Sequence, residues 1–189
     1  MYLFFDTETT GLPKNWSAPV QNVNNWPRMV QIAWLLYDNN GTRIDGKDFI
    51  IKPEGFLIPY NAERLHGIST EKATNEGQNL DFVLELFARQ IENADTLVAH
   101  NMNFDEKIVG AEFIRKGIKN KLFRKHRICT MKESTDYCKI SGPIGYKWPK
   151  LSELYNKLFR EDFKEVHNAA FDINATAKCF WKMKELGIV

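Results

Sequence analysis

A chain of 189 residues has the length of one domain and buries enough surface to fold without a disulfide or a structural metal. Hydrophobic residues at 43%, charged residues at 26% and aromatics at 13% exclude disordered, collagen-like and low-complexity classes. The 26 Lys and Arg nearly cancel the 24 Asp and Glu, so any case for a polyanionic partner has to be local.

Residues 2–5, Tyr-Leu-Phe-Phe, predict a short buried strand. Residues 10–27 hold Gly11, Pro13, Pro19 and Pro27 and predict a long loop, a length often tied to function. Val30 to Tyr37 predicts a second strand, Asn39-Asn40-Gly41 a turn, and Phe49-Ile50-Ile51 the end of a third strand, which together make a hairpin. Pro53, Gly55 and Pro59 then break the pattern. Asn79 to Asn93 predicts a helix, with Leu80, Val83, Leu84, Phe87 and Ile91 on one face. Thr96 to Ala99 predicts a buried strand. Asn103, with Glu106 three residues on, predicts the start of a helix that runs to Lys116 and stops at Gly117. Ile128 to Met131 predicts another strand. Pro149 opens a helix carrying Leu151, Leu154, Tyr155 and Leu158. The last helix spans Ala169 to Leu186, buries Ile173, Ala177, Phe180 and the Lys184 stem, and ends at Gly187. Without an internal repeat or a linker, residues 1–189 read as one α/β domain with a mixed central sheet flanked by helices.

Cys129, Cys138 and Cys179 are odd in number and lack C-x-x-C spacing, which argues against a disulfide framework or a Cys-rich zinc site and fits a reducing, cytoplasmic setting. The longest largely apolar run, Met29 to Tyr37, is interrupted by Gln31 and falls far short of the ~20 residues that cross a bilayer. The N-terminus has no basic region and meets an acid at Asp6, unlike a signal peptide.

Asp6 and Glu8 follow the first apolar strand. Alternate residues of an extended chain share a face, so the two carboxylates project together, about 7 Å apart at Cα, while Thr7 points the other way. Paired acids without a counter-charge repel, and a divalent cation with a preference for oxygen, magnesium or manganese, removes the penalty. Two acids on a solvated strand end would look the same. Asp105 falls in the first turn of the predicted middle helix, where the helix dipole favours a negative charge on structural grounds alone. Asp172 sits on the last helix, with His167 just before it or in its first turn. On a regular helix a five-residue gap separates two side chains by about 140°, so both could flank one site without bonding each other. Asp172 could then ligate a metal while His167 faces a water, since an unperturbed imidazole can accept a proton near neutrality. Four acids carry a charge that two divalent cations would neutralise, the arrangement used for in-line displacement at phosphorus.

Phe-Asp-Thr-Glu-Thr-Thr-Gly at residues 5–11, His-Asn-Met-Asn-Phe-Asp at 100–105 and His-Asn-Ala-Ala-Phe-Asp at 167–172 resemble the three motifs of the DEDDh 3′–5′ exonucleases. The best-known member of that family is the proofreading epsilon subunit of bacterial DNA polymerase III. Ile58-Pro59 and Leu65-His66-Gly67-Ile68-Ser69 resemble the segment between its first two motifs. The resemblance implies a ribonuclease-H-like fold and release of 5′-mononucleotides from a 3′ end. It implies two Mg²⁺ or Mn²⁺ ions held by Asp6, Glu8, Asp105 and Asp172, with His167 as general base. Thr9, Thr10 and His66 would line the terminal nucleotide. Single-stranded DNA or DNA 3′ ends are the implied substrate, RNA the alternative, and a DNA polymerase a candidate partner. The absence of a tail after the last helix favours a free-standing nuclease. Asn168 departs from the family, in which a basic residue is common there.

Three weaker signals remain. Lys116, Lys119, Lys121, Arg124, Lys125 and Arg127 could track a phosphate backbone or form a solvated face. Tyr146-Lys147-Trp148-Pro149-Lys150 suits base stacking, although Trp148 could equally be core. Trp16 and Trp26 lie in the long loop, which is expected to pack beside the site and shape its entrance. On that expectation, deleting residues 14–26 weakens substrate binding more than it lowers stability. An Asp-x-Asp phosphatase is disfavoured by Glu8 and the closing His motif, and a non-catalytic nucleic-acid-binding module by the presence of all five chemical residues.

Overall fold

The computed structural model describes residues 1–163 and 167–189. In chain order its elements are β1 (Tyr2–Thr9), β2 (Met29–Tyr37), β3 (Arg43–Ile50), α1 (Tyr60–His66), α2 (Thr70–Glu76), α3 (Leu80–Asn93), β4 (Thr96–Ala99), α4 (Met102–Lys116), β5 (His126–Cys129), α5 (Thr130–Glu133), α6 (Thr135–Cys138), α7 (Leu151–Phe159) and α8 (Ala169–Glu185). The strands form one sheet in the order β3-β2-β1-β4-β5. The β1–β2 and β2–β3 pairs are antiparallel, and the β1–β4 and β4–β5 pairs parallel, so the sheet is mixed as expected.

The pleat sorts the core. Leu3 and Phe5 of β1, with Ile32, Trp34 and Leu36 of β2, pack against α3 and α4 through Phe87, Ile108 and Phe113. Phe4, Ala33, Leu35 and Val98 face the other way and pack against Ile173, Ala177 and Phe180 of α8. The buried amphipathic face of α3 comprises the five residues that its spacing predicts, and Asn79 caps it by accepting from Phe82 N at 3.1 Å. Asp38 Oδ1 accepts from Asn40 N and Thr42 N at 2.9 and 2.8 Å and closes the β2–β3 turn.

Four boundaries differ from expectation. The first strand continues to Thr9, because Asp6 and Glu8 still pair with Ala33 and Gln31 of β2. The fourth helix starts at Met102, capped by Asn101 in the left-handed region at φ 71°, a conformation that Asn tolerates better than most residues. Asn103 therefore lies inside the helix, and Glu106 pairs with Arg127 instead of capping. Pro149 precedes the seventh helix, which is opened by Glu153 accepting from Lys150 N at 2.8 Å. The fifth strand is His126–Cys129, and Thr130–Glu133 is helical.

The two indoles of the long loop differ in burial. Trp26 is 3% exposed within the main core and donates through Nε1 to Pro19 O at 3.2 Å, whereas Trp16 is 45% exposed and lies 5.7 Å from the Phe104 ring. The loop is fastened to α4 by a buried carboxylate. Glu112, with no exposed side chain, accepts from Arg28 Nε at 2.9 Å and Met29 N at 3.0 Å, and Arg115 Nη1 lies 2.9 Å from it. Arg115 Nη2 in turn donates to Val23 O and Trp26 O at 2.6 and 2.7 Å. Deleting residues 14–26 would take Trp26 out of the core and remove the two carbonyls that Arg115 grips, so a loss of stability is expected beside the loss of substrate binding expected from sequence. The basic run is also largely engaged within the molecule. Lys116 pairs with Glu54 and Asp81, Lys121 with Glu92 and Arg127 with Glu106, while Lys125 donates to two carbonyls. Among the described residues no helix is long and apolar enough to cross a membrane, and the three cysteines are free and buried.

Trp26→Ala should cost about 3–5 kcal/mol in urea unfolding, as expected for an indole lost from a packed core. A cost under about 1 kcal/mol, the scale of a surface change, would contradict this packing.

Candidate active site

Parallel strands leave a crevice beyond their carboxyl ends, and β1 projects furthest into it. Strand β4 pairs only with Tyr2 to Phe4, so Asp6 to Thr9 run on past it, supported by β2 alone. A cavity of about 580 Å³ opens there, lined by Asp6, Glu8, Asp105, His167 and Asp172 together with Thr9, Thr10, Phe104 and Leu151. The acids lie far apart in sequence, between Asp6 and Asp172, and the fold brings all of them to one cavity.

The pleat decides which acid meets which partner. Even-numbered residues of β1 face α8, so Glu8 meets Asp172 in the first turn of that helix. Glu8, His167 and Asp172 each offer a ligand atom, and these atoms all lie within 4.8 Å of one another. Odd-numbered residues face α4. Thr7 therefore donates to Asp105 Oδ1 through its amide at 3.0 Å and its hydroxyl at 2.7 Å. Asp6 and Asp105 line the cavity outside the three-residue cluster.

His167 is not on the helix, so the angular estimate for a regular helix does not apply. It precedes the cap Asn168 and has φ 48°, a left-handed turn that brings the imidazole back towards Asp172. Asn168, where a basic residue is common in the resembled family, accepts from Phe171 N at 3.2 Å as the N-cap. Gln31 interrupts the longest apolar run for a related reason. Its Oε1 accepts from Ala169 N at 3.3 Å and its Nε2 donates to Asp48 at 2.7 Å, docking the start of α8 on the sheet opposite Glu8.

Burial raises the acids. Glu8, 9% exposed, is pushed from 4.5 up to about 8 by desolvation first and then by the charges of Asp172 and Asp105. Asp105, 3% exposed, is pushed from 3.8 to about 7 by desolvation, against the hydrogen bonds from Thr7 that favour its ionised form. Carboxylates that cannot all ionise together, grouped with an imidazole in one crevice, fit a divalent cation.

Two of the three expected nucleotide-lining residues reach the cavity. Thr9 and Thr10 line it, but Thr9 Oγ1 donates to Gly11 O at 2.6 Å and Thr10 Oγ1 accepts from Arg28 N at 3.0 Å, so both hydroxyls also brace the turn. His66 is 6% exposed and does not line the cavity, and its Nδ1 accepts from Ile68 N at 3.1 Å. Burial holds its pKa below the ordinary value, the Thr9 backbone opposes that shift, and neighbouring His167 adds to it. Sequence reasoning assigned no role to other lining residues, among them Leu12, Asn61, Leu65, His100 and Asn101. His100 sits in the second motif and lies 2.9 Å from Thr130 Oγ1 and 3.1 Å from Pro149 O, tying α5 and the approach to α7 to the crevice.

A mixed five-stranded sheet with acids gathered at the carboxyl end of its central strand has the ribonuclease-H-like fold. The RNase_T family model, described as an exonuclease, matches residues 3–180, and the chain belongs to that DnaQ-like exonuclease family. It is 29% identical over 182 residues to the PolC-type DNA polymerase III of Listeria innocua serovar 6a, covering 96% of this chain and 11% of the polymerase. It is 28% identical over 192 residues to the PolC-type DNA polymerase III of Mycoplasmopsis pulmonis, covering 99% of this chain and 12% of the polymerase. The chain thus spans about a tenth of the length of these curated relatives. Among solved structures, Escherichia coli exonuclease I in complex with a dT13 oligonucleotide superposes with a TM-score of 0.74 at 19% identity, over 98% of this chain and 42% of that one. A moderately thermophilic exonuclease I from Methylocaldum szegediense gives 0.74 at 17% identity, over 97% and 40%. Both share the fold.

The raised acids set a sign for stability. Without metal, folded Glu8 and Asp105 keep protons that the unfolded chain releases, so their contribution is full below the ordinary values of 4.5 and 3.8 and is lost as pH rises through about 8 and 7. Thermal melts in chelator should show stability falling between about pH 5 and 8, with Glu8→Gln flattening the slope and raising the melting temperature near the upper end. A wild-type slope of the opposite sign would contradict the burial of these carboxyls.

Proposed function

We propose that residues 1–189 form an exonuclease domain that removes 5′-mononucleotides stepwise from the 3′ end of single-stranded DNA or of DNA 3′ termini, using two divalent cations, Mg²⁺ or Mn²⁺. The convergence of Glu8, His167 and Asp172 within 4.8 Å, in a cavity also lined by Asp6 and Asp105, carries this reading. Membership of the exonuclease family supports it. Asp6, Glu8, Asp105 and Asp172 would hold the ions, which when bound supply charge stabilisation at the phosphate and an acidified water.

The chain's own residues supply the rest. His167 accepts the proton of the attacking water; its imidazole is close enough to the acids for that water to lie between them. Thr7 fixes Asp105 through two hydrogen bonds, so this carboxylate does not have to be ordered when substrate arrives. Thr9, Thr10 and Leu65 form the wall against which the terminal nucleotide is held, with His66 buried against the Thr9 backbone. Deoxyribose is favoured over ribose by the likeness to DNA polymerases and to an exonuclease solved with a thymidylate oligomer. The polymerase relatives also make a DNA polymerase the partner of choice and suggest proofreading or DNA repair as the setting. Three free, buried thiols suit the cytoplasm.

End-labelled DNA and RNA oligonucleotides, incubated with manganese or with a chelator, test direction, sugar and metal together. A ladder shortening from the 3′ end, DNA faster than RNA, and silence in chelator are expected. His167→Ala should lower kcat by about 10²–10⁴ with the melting temperature little changed. Full activity in that variant, or mononucleotides released first from the 5′ end, would reject the mechanism.

A further inference from the structure

The segment between α6 and α7 is a small closed ribbon with an apolar outer face. Gly142 N donates to Gly145 O at 2.8 Å and Lys147 N to Ile140 O at 2.9 Å, and Ser141 bridges to Tyr146. Gly145 makes the turn at φ 69°, a conformation that costs glycine little. From there the chain alternates. Tyr146, Trp148 and Lys150 are exposed, Lys147 is half-buried and Pro149 is buried.

The inner face anchors the ribbon. Lys147 Nζ pairs with Glu153 at 2.5 Å, and Pro149 O lies 3.1 Å from His100 Nε2. Pro149 holds Trp148 extended in front of it. The outer face packs on nothing comparable: Trp148 is 60% exposed and Tyr146 48%, so Trp148 is not the core residue that it could equally have been from sequence. Lys132 Nζ lies 5.7 Å from the centroid of the Trp148 ring.

An exposed indole and phenol, held by a fixed backbone and interleaved with cations, need a partner with flat faces and negative charge. Residues 139–150 contain Lys139, Lys147 and Lys150 and no acid. The stripe is also continuous with the crevice. Leu151, the residue after Lys150, lines the cavity, as does His100, which bonds the ribbon from within. We propose that Tyr146, Trp148 and Lys150, together with Lys132, form a stacking platform for a single nucleic-acid strand upstream of the terminal nucleotide in the crevice. This rests on the exonuclease reading above and extends it to the body of the substrate. Alternate side chains of an extended ribbon stand about 7 Å apart, roughly twice the rise of stacked bases, which leaves room for one base between the two rings. Such a platform is indifferent to sequence, because every base has a π face, and excludes a duplex, whose bases stack on each other.

Binding in chelator separates this platform from catalysis. Anisotropy would be measured with 5′-labelled thymidylate oligomers of about 16 and about 4 nucleotides, on wild type and on the Trp148→Ala, Trp148→Phe and Lys132→Ala variants. Trp148→Ala should weaken the long oligomer about tenfold and the short one little, Trp148→Phe should restore most of the loss, and Lys132→Ala should weaken the long oligomer in a salt-dependent way. Hydrolysis of the short oligomer in manganese should be unchanged in Trp148→Ala. Equal affinity of wild type and Trp148→Ala for the long oligomer overturns the platform and leaves the stripe to a protein partner. Equal weakening of both lengths overturns it as well, because the ring would then act at the crevice. A wild type that binds the long oligomer through Trp148 but hydrolyses neither would sink the catalytic reading alone.

Discussion

The two-residue period of one strand governs the site. The last residues of β1 run beyond β4 with only β2 to pair with, and their alternation sends Asp6 and Glu8 to the α8 face and Thr7 to the α4 face. Each helix brings its own acid to the matching face, Asp172 to Glu8 and Asp105 to Thr7. A slip of one residue in the β1–β2 register would exchange the two faces, put Thr7 and Thr9 under α8 and bury Phe4 on the wrong side. The apolar half of the strand, Leu3, Phe4 and Phe5, is fully buried in two cores and prevents that slip. Packing at one end of the strand thus fixes chemistry at the other.

Burial and charge are opposed in this crevice. Glu8 and Asp105 are both held well above the ordinary range for carboxylates, and desolvation is the larger cause in each. The fold tolerates the cost because hydrogen bonds to the ionised form partly offset it at Asp105, while Gln31 and Asn168 satisfy amides at the start of α8. The same desolvation strengthens any interaction with a cation, since a charge in a poorly hydrated site is screened less. A carboxylate cluster that is unfavourable without metal is, for that reason, a good site with it.

Much of this architecture was legible in the sequence. Strong periodicity marked α3, Asn-Asn-Gly marked the hairpin, and three acid-bearing motifs marked the crevice, whereas Lys184, expected on the buried side of α8, is exposed. The misjudged boundaries have physical causes. Acids at the end of β1 hid its last residues, because composition does not show that β2 continues to pair with them. Asn101 in a left-handed cap moved the start of α4, and tertiary pairing with Arg127 removed Glu106 from any capping role. The short helices α1 and α2 lie between prolines and glycines in a stretch too brief for a clear 3.6-residue signal, and Ile58, Ala62, Ile68 and Ala73 hold them through tertiary packing. His66, expected at the nucleotide, is buried and is not among the residues that line the cavity. Which cations are paired within the molecule and which aromatics remain outside was not written in their spacing at all.

The buried Glu112 network makes resistance to deformation uneven around the crevice. Pulling the turn after β1 away from α4 would take Arg28 Nε and the Met29 amide from the fully buried Glu112, leaving that carboxylate only Arg115 of its own helix. Among the described residues the α1 wall shows no buried ion pair; it rests on the small apolar cluster of Val30, Ile58, Ala62, Ile68 and Ala73 and on the His66 contact with the Thr9 backbone. Opening of the crevice is therefore expected to be easier on its α1 side than between the β1 turn and α4.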